Sequence, residues 1–239
     1  MKKRGQVTIF IIVAIVIIVA GAIIFFVNQK SNSAINLQGD EVGLRVESCL
    51  ENSLALAIVS NSLQGGYFDS EESGYYFEDG KSNVPSKEDL ENNLLLGVEG
   101  IFGSCLNFSD LPGEVKYDLE RAIFKIEGEN NLIKINLRLP ITLKMDDSSL
   151  VVDEFSSEIE TDYFNFYNVA VELTQEQEKH VDEICLSCAT DIAGRERVSI
   201  VSLEGQKEGN DILIYTISKD REDVFNPLFI FKHKFKLVE

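Results

Sequence analysis

From Val7 to Val27 the chain carries no charged residue, and the run is mostly Ile, Val, Phe and Ala. As a helix these 21 residues rise about 31 Å, the thickness of a bilayer's hydrocarbon core. A cleaved secretion signal has a shorter apolar stretch, roughly 7–15 residues, ending at a small-x-small site. Here Phe25, Phe26 and Val27 stand where that site belongs. A helix buried in a soluble core is rarely apolar on every side for such a length. The segment is therefore expected to be a single transmembrane helix.

Charge sets its direction. Lys2, Lys3 and Arg4 precede the run and Lys30 follows it. Positive residues stay on the cytoplasmic side, so the N-terminus is expected inside and residues 31–239 outside. The chain then divides into a basic cytoplasmic leader (1–6), the span (7–27), a polar linker (28–41) and an exported domain (42–239).

Those four basic residues belong to a total of 22, whereas all 40 acidic residues lie beyond Lys30, so the outer part carries −22. Nucleic acid demands a basic surface and is excluded as a partner. An acidic exterior is accounted for by a soluble, self-repelling surface, and the same charge would suit an anchored binding module for a cation or a basic partner. The outer part is long enough to bury its own core, and no internal repeat is found.

Four cysteines, Cys49, Cys105, Cys185 and Cys188, all follow the span. An even count in an exported chain favours disulfides. Three pairings are open, and Cys49–Cys105 with Cys185–Cys188 is the expected one.

Past the linker, Val42, Val46, Cys49, Leu50, Ser53, Leu56 and Ala57 recur at helical spacing, with Leu44 and Ile58 on the polar side, until Gly65–Gly66 stops the helix. Residues 67–86 read as a long loop with one short strand. Ser86-Lys87-Glu88-Asp89 fits a capping box opening a second helix through Leu90, Leu94, Val98, Ile101 and Phe102 to Cys105. The period then changes to two. RAIFKIEGENNLIKINLRLPITLKM predicts two strands joined at Gly128–Asn131, and SLVVDEFSSEIETDY a third. Helical spacing returns over 164–183, through Tyr167, Ala170, Val171, Thr174 and Val181. RVSIVSLEG and DILIYTISKD predict a hairpin, and a last strand carries Phe229, Phe231, His233, Phe235 and Leu237 on one face. The fold class is α+β with an antiparallel sheet.

Cys185-Leu-Ser-Cys188 is the chemical candidate, with three readings: a structural disulfide, a thiol–disulfide redox pair, or a metal site completed by His180 as His-x4-Cys-x2-Cys. Haem attachment is excluded because Ala189 stands where His is required. His180 and His233 are the two histidines, and neither Gly-x-Ser-x-Gly nor His-Glu-x-x-His occurs, so no catalytic site and no cofactor are expected. GYYFEDGKS at 74–82 has one residue too many for a phosphate loop, and Asn107-Phe108-Ser109 is a glycosylation sequon.

The stretch Lys2-Lys3-Arg4-Gly5-Gln6-Val7-Thr8, followed by the apolar run, resembles the class III signal peptide of archaeal type IV pilin-like proteins. That resemblance covers residues 2–27 and implies cleavage between Gly5 and Gln6 by a prepilin-type peptidase. It also implies a retained helix able to bundle with other pilin-like subunits. Phe10 stands where such proteins usually carry Glu, and Asn28–Gly43 interrupts the long helical stem usual in the family. CLENSLALAIVSNSLQGGY and ICLSC are similar to a group of uncharacterised archaeal membrane-anchored proteins, which implies an exported domain and no known activity. The expectation is a single-span surface protein with a structural or adhesive role.

Overall fold

The computed structural model describes residues 39–68, 74–146, 148–181, 183–207, 210–219 and 225–236. The Val7–Val27 span, the Gly5–Gln6 junction, most of the linker, and Leu237 lie outside the described residues. Among the described residues no helix is long and apolar enough to cross a membrane.

The first helix, α1, is described over 39–62. It takes in 39–41, which the sequence assigned to the linker, and the Glu41–Arg45 ion pair at 2.7 Å holds that turn together. Its buried stripe is Val42, Val46, Cys49, Leu50, Ser53, Leu54, Ala57 and Ile58. This moves two residues from where the sequence pattern put them: Ile58 is in the core and Leu56 faces solvent. The helix ends where Gly65 and Gly66 adopt φ of 67° and 85°. A Cβ at Gly65 would lie 2.8 Å from the Ile230 carbonyl oxygen, so close approach demands glycine as well.

α2 spans Lys87–Cys105 and begins as the capping box predicts. The Asp89 amide donates to Ser86 Oγ at 3.1 Å, and the Ser86 amide donates to the Asp89 carboxylate at 2.8 Å. Leu90, Leu94, Val98 and Phe102 face the core. Gly97 allows α1 close, since a Cβ there would sit 3.0 Å from that of Ala57.

The strands form two sheets rather than the one expected. β1 (Phe77–Glu78) and β2 (Lys81–Ser82) make a small hairpin within the stretch read as loop. Asp79 and Gly80, at φ 53° and 77°, form its tight turn, the geometry that right-twisted strands favour. β3 (Glu114–Lys116), β4 (Ile123–Glu129), β5 (Leu132–Met145) and β6 (Ser148–Glu160) follow. β5 is central, paired along one edge with β6 and along the other with β4 and then β3, all antiparallel. Its odd residues from Ile133 to Leu143 are buried. Pro140 faces out, and the register with β6 shifts between Arg138 and Ile141, where proline has no amide hydrogen to give the ladder.

α3 (Tyr163–Gln177) and α4 (Leu186–Glu196) come next. α3 stops short of the sequence-predicted end: Val181 lies beyond it and is exposed. α4 had no place in the sequence pattern. β7 (Ser199–Lys207), β8 (Asn210–Ser218) and β9 (Phe229–Lys236) are antiparallel neighbours in the second sheet, ordered β2-β1-β9-β8-β7. β1 joins β9 in parallel through Phe77 and His233. The inner faces of both sheets and the apolar sides of the helices share one continuous core.

Candidate functional site at the α3–α4 corner

All four cysteines are paired as the sequence suggested. Cys49–Cys105 ties α1 to the last turn of α2, with Cα atoms 5.7 Å apart and a sequence separation of 56. Beside it, Arg45 grips both carboxylate oxygens of Asp110, at 2.6 and 2.8 Å. These hydrogen bonds hold the Asp110 carboxyl below the usual carboxylate range. This is a staple between two helices.

Cys185–Cys188 sits at a corner between two helices, with Cα atoms 5.3 Å apart. Cys185 is the N-cap of α4, and Cys188 lies in that helix's first turn. Cys185 is buried, while the next residue, Leu186, is exposed. The corner is held by one side chain. Gln177, the last residue of α3, is 1% exposed. Its Nε2 donates to the carbonyls of His180 and Glu183, each at 2.7 Å, and its Oε1 accepts the Cys185 amide hydrogen at 3.1 Å. Three backbone groups are bonded by one side-chain amide, which fixes the path from α3 to α4.

That path places His180 over the disulfide. One ligand atom from each of His180, Cys185 and Cys188 can be chosen so that all lie within 4.8 Å of one another. His180 Nδ1 lies 3.2 Å from a Glu183 carboxylate oxygen. The reach of the hairpin ends here too: the Ser82 amide donates to Glu178 at 2.8 Å.

The second histidine is elsewhere and different in kind. His233 is wholly buried on β9, among Phe77, Tyr215 and Phe231. Its Nε2 lies 3.0 Å from Thr174 Oγ1, and its Nδ1 has no hydrogen-bond partner among the described residues. Burial pushes its pKa down to about 3, so the ring is neutral. It is a core residue packed against Thr174, which lies about one turn of α3 before Gln177, as its place on an apolar strand face suggested.

Asp162, at the entry to α3, is also buried. Burial alone would raise its pKa, but hydrogen bonds from Asn165, Lys219 and Asn226 and the Lys219 charge hold it below the ordinary value. Sequence reading missed Gln177, Glu183 and Asp162. A glutamine inside an apolar helical stripe was the available signal for the first; nothing local marked the other two. Asn107 of the sequon is exposed, and its side chain accepts the Ser109 amide hydrogen at 3.0 Å.

The concave surface between α1 and β6, about 570 Å³, is lined by Leu44, Leu150 and Val152, and its titratable groups are the carboxylates Asp40, Glu47 and Glu154. Among the described residues it brings together no histidine, cysteine or lysine. Comparison of the chain with protein-family models, with characterised proteins and with solved structures finds no match in any of the three.

Proposed function

We propose that this chain is a surface protein, anchored with its N-terminus inside by Val7–Val27, whose exported α+β domain has a structural or adhesive role of the pilin-like kind. The observation that carries this is the pairing of all four cysteines. Disulfides persist in oxidising exteriors and are rare where glutathione and thioredoxin keep thiols reduced. The strongly acidic outer part agrees with that placement. In this reading a prepilin-type peptidase removes the leader between Gly5 and Gln6, and the apolar helix is the surface that meets the membrane or other pilin-like subunits. Fractionation of native cells tests it. The protein should leave the membrane with detergent alone, be cut by protease added to intact cells, and react with a thiol probe only after reduction. Recovery in the soluble fraction, or free thiols before reduction, contradicts the reading.

One observation favours a second reading, thiol–disulfide exchange at Cys185 and Cys188. Cys185 caps the N-terminus of α4, where the helix dipole favours a thiolate. After mild reduction one of the two thiols should then react well below pH 8. Two thiols of ordinary reactivity rule this reading out.

A further inference from the structure

We propose that reduction turns the α3–α4 corner into a binding site for one Zn²⁺, held by the thiolates of Cys185 and Cys188 and by the imidazole of His180. The inference does not depend on the membrane anchor.

Three observations support it. The first is the donor set. Two sulfurs and one imidazole nitrogen are borderline-soft ligands of the type zinc takes, and they already lie within 4.8 Å of one another. In a tetrahedral site with bonds of about 2.0–2.3 Å, ligand atoms stand about 3.3–3.8 Å apart. Opening the sulfur–sulfur bond moves the two sulfurs toward that spacing without moving either backbone far.

The second is the orientation of His180. Its Nδ1 faces Glu183 at 3.2 Å, so a metal bound through Nε2 would keep that contact. A carboxylate on the far nitrogen fixes the tautomer and ring orientation of a metal-binding imidazole. Glu183 is thus a positioning residue for His180.

The third is the rigidity of the frame. Gln177 is buried and pins His180, Glu183 and Cys185 by their own backbone groups. The ligands sit on a braced corner, and the exposed side of His180 leaves a path for the ion and a fourth position for water.

The chemistry balances with a dithiol as reductant. Thiolate attack breaks the Cys185–Cys188 bond, and two electrons and two protons pass to the pair while the dithiol closes to its own disulfide. Zinc then displaces both thiol protons. With the disulfide closed there are no thiolates and no site, so occupancy reports the redox state around the domain.

The test uses the purified full chain in detergent, reduced anaerobically with a phosphine, which does not compete for metal. Cobalt(II) is the probe and Zn²⁺ the competitor. The reduced protein should take up one cobalt per chain, with a near-ultraviolet thiolate-to-cobalt band and the visible bands of a tetrahedral ion, and one equivalent of zinc should abolish them. The unreduced protein should show none. The doubly substituted C185S/C188S chain, which keeps Cys49 and Cys105, should show none after reduction. His180→Gln, a change at a partly exposed side chain, should weaken binding at least about tenfold, and Glu183→Gln about tenfold or more through His180. No thiolate-to-cobalt band in the reduced chain, an equal band in C185S/C188S, or unchanged affinity in His180→Gln overturns the proposal.

Discussion

His233 donates its Nε2 hydrogen to Thr174 Oγ1 at 3.0 Å, joining β9 to α3 inside the core. The direction follows from the hydroxyl: Thr174 has one hydrogen, and it goes to the Ala170 carbonyl at 2.8 Å. Thr174 must therefore accept from the imidazole, which leaves the Nδ1 lone pair buried without a hydrogen-bond partner among the described residues.

The folded-state pKa of His233, about 3, lies below the ordinary value of 6.5. Between those values the unfolded chain binds the proton and the folded chain does not. The contribution of His233 is then fully present above pH 6.5 and declines as pH falls, approaching about 1.4 kcal/mol per pH unit. Equilibrium unfolding from pH 7 to 4 should show this slope, and His233→Phe, with Phe77 and Phe231 as neighbours, should flatten it. An unchanged slope in His233→Phe would show that another group titrates there.

The two disulfides should differ sharply in worth. Cross-linking across 56 residues stabilises by about 4 kcal/mol in the chain-entropy account, and across three by about 2. The C49S/C105S chain should therefore lose clearly more in melting temperature than C185S/C188S. Equal losses would mean that the short bridge braces more than its own corner.

Gly128 lies on β4 directly over the Phe164 ring, and an added Cβ would overlap that ring. Gly128→Val should cost about 1–3 kcal/mol in chemical denaturation, as overpacked cores do. A neutral result would mean that Phe164 has room to swing aside.

Asp162 is hydrogen-bonded by Asn165 and Asn226 and paired with Lys219 at 3.3 Å. Its pKa is depressed, so its contribution is present above the ordinary carboxylate value and is lost as pH falls through the folded one. Asp162→Ala should cost about 1–3 kcal/mol at pH 7, the range for orphaning buried hydrogen-bonding groups, and less at pH 3. A cost that does not change with pH would mean that the carboxylate charge is not what stabilises the turn.

Where the sequence was readable, the reason is local. Ser86-Lys87-Glu88-Asp89 places its own cap atoms, and the turn expected within Gly128–Asn131 falls at Asn130–Asn131, between two strands that alternate. The β7–β8 hairpin and the buried face of β9 followed from the same alternation. What escaped was non-local. α4 has Ile192 as its one fully buried residue, so its apolar stripe is too thin to announce a helix. The β1–β2 hairpin joins the second sheet only because Phe77 finds His233 across the chain, and two-residue strands leave no pattern. At the candidate site the cysteine spacing was plain, and His180 was within reach of it in sequence. Gln177 was not legible as its brace, because what a glutamine bonds depends on where the chain turns after it.

The central claim is that Val7–Val27 stays on the protein as an anchor after the leader is removed at Gly5. The most direct measurement is the mass of the N-terminal peptide of the protein isolated from native membranes. A chain beginning at Gln6 is the predicted result. A chain beginning at Met1 or Lys2, or one beginning beyond Val27, would contradict it.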